Sequence, residues 1–236
     1  MSIRSYPKHI WFIADWNRTW ARNQWLPHLE WHRIGFHNTI DFIKYIYEET
    51  PISITTVWAL STENLKNRDS NELDYLFQIY KLISEDMYAF LETHQIDFNW
   101  MGRPEWLPDD LIAFLLDTQD KYTYWKWKVF NLAVNYGGQD EIVRWVKKYI
   151  DDWNDIHKMN TKSLSSCMDF AWQDPVDLII RTKWDLSPRL SWFMSWWAGY
   201  AQLYFCPKMC PEFSIEDLNE ALEWFDSISD DRNYWK

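Results

Sequence analysis

Strand-like and helix-like segments alternate along this chain, and that alternation restricts its fold more than any other feature. Residues 9–14 form a short apolar run, and from 35 to 49 apolar residues recur at helical steps. Residues 53–60 are rich in β-branched side chains and end in a polar turn, Ser61-Thr62-Glu63-Asn64. Leu73, Leu76, Phe77, Tyr80, Ile83, Met87, Phe90 and Leu91 then repeat at three- and four-residue steps, the stripe of an amphipathic helix. Strands follow at 96–101 and 129–134, short apolar strands at 176–180 and 202–205, and helices start at Asp109, Gln139 and Glu216. Strands separated by helices predict an α/β fold: a mainly parallel central sheet flanked by helices. No repeat, low-complexity stretch or linker interrupts residues 1–236, which read as a single domain.

In such sheets ligands sit at the carboxyl ends of the strands. Polar residues fall there: Asp15, Asn17 and Arg18 after the first strand, Ser61, Glu63 and Asn64 after the second, Asn135 after the fourth and Arg181 after the fifth. An aspartate beside an arginine can hold Mg²⁺ and a diphosphate together, the hard cation on carboxylate and phosphate oxygens, the guanidinium on phosphate. A structural cap explains such an aspartate equally well. Arg181, Arg189 and Ser191 make a second phosphate-sized group, though two surface arginines would look the same. With His32, Arg33 and Arg68 added, cationic groups gather at one sheet edge of a chain whose formal net charge is −11. That acidity argues against non-specific binding to nucleic acid. Three cysteines, Cys167, Cys206 and Cys210, give no disulfide framework and only a weak zinc pattern. No signal-peptide core and no apolar stretch long enough to span a membrane is present, so the expected location is cytoplasmic, peripheral to a membrane at most. A generic nucleotide-binding protein would carry a phosphate-binding glycine pattern, which is missing.

The chain resembles the cis-prenyltransferases, the undecaprenyl diphosphate synthase family, in blocks that keep family order: Pro7-Lys8-His9-Ile10, Asp15-x-Asn17-Arg18-x-Trp20-Ala21, His32-Arg33-x-Gly35, Ala59-Leu60-Ser61-Thr62-Glu63-Asn64, Asn131-x-Ala133-Val134-Asn135-Tyr136-Gly137-Gly138, Asp177-Leu178-Ile179-Ile180-Arg181-Thr182, Arg189-Leu190-Ser191-x-Phe193 and Tyr200-Ala201-x-Leu203-Tyr204-Phe205. The resemblance implies an enzyme that condenses isopentenyl diphosphate onto an allylic diphosphate such as farnesyl diphosphate. It implies Mg²⁺ as cofactor and a homodimer. Asp15 would bind the metal, Asn17 and Arg18 the allylic diphosphate, with His32 against it. Asn64 would assist proton loss. Arg181, Arg189 and Ser191 would hold isopentenyl diphosphate, and Arg68 and Glu72 match a family pair near the substrates. Trp16, His28, Ser61, Thr62, Glu63 and Leu190 belong to the same substrate-binding blocks. The Leu73–Leu91 stripe would line an apolar tunnel for the growing chain, although any core helix shows such a stripe. Some relatives keep the fold and serve as non-catalytic subunits, which is the alternative reading.

The sequence also departs from the family. Thr19 replaces a second arginine, His28 another basic residue and Leu65 a tryptophan, and two extra residues separate Thr182 from Arg189. Gln202 stands where the family has a glutamate linked to the metal, and an amide is a weaker ligand for a hard cation. The largest departure is 19 Trp against 5 Gly. Trp16, Trp25, Trp31, Trp127, Trp184 and Trp235 align with family glycines, as do Trp11, Trp106 and Trp192 in many members. Trp20, Trp58 and Trp196 fall at aromatic positions. Overpacking costs about 1–3 kcal/mol per site, and so many insertions would exceed the stability of a domain, about 5–15 kcal/mol. Either the chain is heavily remodelled at these sites or the sequence as written is not the one the cell makes; the favoured expectation is a gene in which UGA is read as glycine.

Overall fold

In the computed structural model, residues 4–14, 30–169, 171–182, 189–191 and 195–229 are described. Among them one sheet has six parallel strands in the order β3-β4-β2-β1-β5-β6. The strands are β1 (His9–Ile13), β2 (Ile54–Ser61), β3 (Asp97–Met101), β4 (Val129–Tyr136), β5 (Leu178–Thr182) and β6 (Gln202–Cys206). The helices are α1 (Glu30–Glu49), α2 (Thr62–Asn67), α3 (Ser70–His94), α4 (Asp109–Lys121), α5 (Gly138–Asp151), α6 (Thr161–Ser165) and α7 (Ile215–Ser227).

Side chains of a strand point alternately to the two faces, and the buried strands follow that rule. Ile10 and Phe12 of β1, with Leu178 and Ile180 of β5, join the larger apolar cluster, which also takes in α1, α3 and α7. Trp11, Ile13 and Ile179 face the other way, into a smaller cluster with Leu164, Met168 and Trp197. β1, β4 and β5 are buried at every position, as strands covered on both faces must be.

The α/β expectation holds, with boundary corrections. The polar turn at Ser61–Asn64 is the end of β2 and the start of α2: the Ser61 Oγ accepts from the Asn64 N–H at 2.9 Å and caps that helix. β4 continues through Asn135 and Tyr136, and Arg181 lies within β5, paired in register with Ile13, rather than after it. Val176 precedes β5, although it is buried in the smaller cluster. In each case hydrogen bonding to a neighbouring strand extends or shortens the element beyond what local side chains specify. α3 runs 25 residues between two clear signals. Asp69 accepts from the N–H groups of Asn71 and Glu72, and Gln95, at φ 51°, closes the far end on the carbonyls of Leu91 and Glu92.

The strand order sets a topological switch point. From β1 the chain moves to one side of the sheet, and from β5 to the other, so the segments leaving these neighbouring strands diverge. Open α/β sheets bind ligands at such a switch point.

Candidate active site

The carboxyl ends of β1 and β2 and the start of α1 enclose a cavity of about 430 Å³. Ile13 and Ala14 come from the first strand end, Trp58–Ser61 from the second, and Asn64, Asn67, Arg68 and Glu72 from the helical segments that follow. His32, Phe36 and Thr39 lie at i, i+4 and i+7 along α1, so one stripe of that helix faces the same space. This spacing was available in the sequence as a signal for Phe36 and Thr39; nothing in the composition singles out Asn67.

Polar groups are concentrated in one part of the wall. The buried Glu72 carboxylate faces the His32 Nε2 at 3.2 Å and the Arg68 Nη1 at 3.1 Å, both on the same oxygen. A buried carboxylate shared in this way holds imidazole and guanidinium in place, while Arg68 keeps part of its surface exposed. The Asn64 side chain is exposed at the cavity, since the helix cap uses its backbone N–H. Trp58 donates its indole N–H to the Tyr136 carbonyl at 3.3 Å, tying β2 to β4.

A second, apolar cavity of about 40 Å³ lies against the first. Phe36, Thr39 and Val57 border both. Beyond them come Ile40, Ile43, Tyr80, Met87, Leu91 and, from the sheet, Phe98, Phe130 and Leu132. Within the Leu73–Leu91 stripe, Leu76 borders the larger cavity and Tyr80, Met87 and Leu91 the smaller. Phe77 and Phe90 are packed in the core, as is Leu73 at its margin, and the Ile83 side chain lies outside the described residues.

The basic group after β5 is built separately. The buried Arg181 donates from Nη1 to the Arg189 carbonyl and approaches the Ser191 Oγ at 3.4 Å. Arg189 is exposed, and Leu190 packs against the smaller apolar cluster. Arg181 and Ser191 are thus brought together beside Ile13, the residue through which β5 adjoins the wall of the large cavity. They do not line that cavity themselves. Thr62 and Glu63 are not in its wall either. Glu63 is exposed, and Thr62 packs so close to Gly137 that a Cβ there would lie 2.8 Å from its Oγ1.

Gln202 opens β6 at the amino edge of the sheet, in register with Leu178 and Ile10. At about 3.3 Å per residue, it sits a strand length from Ile13 and Thr182. It therefore joins none of the groups at the carboxyl ends. Among the described residues no cluster of three or more His, Cys, Asp or Glu could hold a metal, and Glu72 is already engaged by His32 and Arg68. Asp15, Trp16, Asn17, Arg18 and His28 lie outside the described residues.

Behind the β4–α5 junction a buried network fixes the backbone. Tyr136 donates its hydroxyl to Glu141 at 2.6 Å, and Glu141 accepts from the Asp169 N–H at 3.0 Å. Arg144 forks onto both oxygens of Asp169, at 3.0 and 2.7 Å. Burial, then the Asp169 charge, pushes the Glu141 carboxyl up to about 7. Asn135, at φ 55°, donates to the carbonyls of Arg103 and Glu105 and pins the loop after β3.

Comparison with known proteins agrees with this geometry. Residues 13–233 match the family described as "Putative undecaprenyl diphosphate synthase". An isoprenyl transferase of Treponema denticola is 32% identical over 216 residues, 92% of each chain. A tritrans,polycis-undecaprenyl-diphosphate synthase (GGDP specific) of Sulfolobus acidocaldarius is 30% identical, over 93% of this chain and 85% of its own. The crystal structure of lavandulyl diphosphate synthase from Lavandula x intermedia, in complex with dimethylallyl diphosphate, superposes with a TM-score of 0.82 at 28% identity, covering 94% of this chain and 95% of that one. A probable undecaprenyl diphosphate synthase from Campylobacter jejuni shares the fold, with a TM-score of 0.75 at 24% identity over 94% and 95% of the two chains.

Proposed function

Because the chain belongs to the undecaprenyl diphosphate synthase family of prenyltransferases, we propose that it condenses isopentenyl diphosphate onto an allylic diphosphate such as farnesyl diphosphate, making a polyprenyl diphosphate. The observation that carries this reading is the meeting of a polar wall and an apolar interior at Phe36, Thr39 and Val57. A substrate with a diphosphate head and a hydrocarbon tail needs both, in that order.

In this reading the allylic diphosphate lies beside Arg68 and His32, whose positions Glu72 sets, with Asn17 and Arg18 completing the contacts. Ionisation moves charge onto the departing diphosphate, and cationic groups in a partly desolvated wall stabilise that charge more than water does. Isopentenyl diphosphate is held by Arg181, Arg189 and Ser191. Its double bond is then presented across the Ile13 strand end, and Asn64 assists the loss of the proton. Mg²⁺ would be held by Asp15 with diphosphate oxygens, where it would neutralise the leaving group. Gln202, which the resemblance links to the metal, stands at the amino edge of the sheet. The product tail extends between α1 and α3. The inner cavity is small, and Met87 is the side chain in its wall best able to move aside. Two copies are expected to associate, as the family resemblance implies.

The test is incorporation of radiolabelled isopentenyl diphosphate onto farnesyl diphosphate, using the chain with glycine at the tryptophans that align with family glycines. Incorporation should require Mg²⁺ and should vanish in Asp15→Ala. Activity only after mixing with a homologous chain would instead assign an accessory subunit. No incorporation with any allylic primer, alone or mixed, would defeat both readings.

A further inference from the structure

Seven described residues other than glycine have a backbone φ in the left-handed region, and four of them are tryptophans: Trp106 at 70°, Trp125 at 57°, Trp127 at 71° and Trp153 at 62°. That region is hard for a bulky side chain, because Cβ crowds the carbonyl oxygen, and open to glycine. Tryptophan has no local hydrogen bond with which to offset the crowding, as asparagine and aspartate do. The same four residues are exposed to 60%, 75%, 86% and 96%. Trp106 lies under Lys66 and Arg103, and Trp125 against the exposed Trp172.

Trp153 is the sharpest case. α5 ends at Asp151 and is capped by Asp152. The Trp153 N–H then bonds to the Ile150 carbonyl at 3.0 Å, and the Asn154 N–H reaches back to the Tyr149 carbonyl at 3.3 Å. This pair of bonds is the Schellman ending, in which the residue at the Trp153 position is left-handed and is usually glycine. Other tryptophans behave differently. Trp58, Trp100, Trp145 and Trp196 keep ordinary backbone angles and donate their indole N–H to Tyr136, Val134, Asp169 and Ser165.

We infer that the protein made in the cell carries glycine at positions 106, 125, 127 and 153, each encoded by a UGA codon that its translation machinery reads as glycine. The backbone supports this without reference to any relative, and it adds positions 125 and 153 to those aligned with family glycines. Reassignment of one codon changes many positions together. It accounts at once for 19 Trp, for 5 Gly, and for the concentration of tryptophan where backbone geometry demands glycine. Independent substitutions would not select those sites.

Two measurements decide it, and neither depends on catalysis. The gene should have UGA at codons 106, 125, 127 and 153 and UGG at codons 58 and 196. Mass spectrometry of the protein from its own cells should find glycine between Asp152 and Asn154. UGG at the four codons, or tryptophan in that peptide, overturns the inference. In a recombinant chain, Trp106→Gly, Trp125→Gly, Trp127→Gly and Trp153→Gly together should raise the thermal midpoint, whereas Trp58→Gly should lower it. A lower midpoint for the fourfold variant would show that the four sites do not call for glycine.

Discussion

In the proposed mechanism Asn64 separates folding from chemistry within one residue. Its backbone N–H caps α2 on Ser61, and its side chain stands exposed at the cavity wall. Asn64→Ala therefore keeps the cap. Urea unfolding should place its stability within about 0.5 kcal/mol of the parent. Turnover should fall by about 10²–10⁴, the range of a positioned proton-transfer group. An unchanged rate would remove Asn64 from the mechanism; a large loss of stability would make it a structural residue. His32 and Arg68 cannot be tested so cleanly. Both meet the same buried oxygen of Glu72, and removing either leaves that carboxylate short of a partner.

At the scale of elements, the site depends on how closely β3 and β4 end. Gly102 follows β3 at φ 136°, and a Cβ there would lie 2.0 Å from the Val134 carbonyl oxygen. Its N–H donates to Asp169 at 3.1 Å, so the turn is joined to the network under α5. Gly102→Ala should destabilise the protein by at least about 1–3 kcal/mol, the usual cost of a residue in a forbidden backbone region. The clash with Val134 adds to that, and denaturant unfolding measures the sum. A mild effect would mean that the β3 turn can move without disturbing β4. This glycine is one of 5 in the chain, and it occupies a position where no other residue fits.

Two properties belong to the whole molecule. The first is stability against pH. His9, buried between the Asp174 carbonyl and the Thr56 hydroxyl, is pushed down to about 4, chiefly by burial. Its neutral form is the folded one, so its contribution is present above about 6.5 and is lost as pH falls towards 4. Glu141, raised to about 7, has the opposite sign: its contribution is present below 4.5 and is lost as pH rises through 7. Glu141→Gln removes one of the two opposing slopes. Relative to the parent, the variant should lose on the order of 2 kcal/mol between pH 6.5 and 4.5. Parallel pH curves would show that Glu141 does not titrate in this window. The second property is product length. Val57 borders both cavities, so Val57→Phe should narrow the passage, shortening the product while sparing the first condensation. Overpacking there costs about 1–3 kcal/mol. Chromatography of the reaction products reads the effect, and unchanged chain lengths would place the tail elsewhere.

The sequence by itself determined the class of fold and marked the strand ends at which the polar-walled cavity lies. Periodicity is a local property, and the 3.6-residue stripe of α3 and the short apolar runs of β1 and β5 express it without help from the rest of the chain. His32, Asn64 and Arg68 were legible for the same reason, since each follows or opens an element whose position the pattern gives. Tertiary structure decided the strand order, which sets the switch point between β1 and β5. It decided that Gln202 lies at the amino edge and that Thr62 packs on Gly137 instead of facing the cavity. Register and packing between distant segments fix these facts, and no single segment contains them. The left-handed backbone at Trp106, Trp125, Trp127 and Trp153 belongs to the same class: composition shows too much tryptophan and the family resemblance marks positions 106 and 127, but only the path of the chain marks 125 and 153.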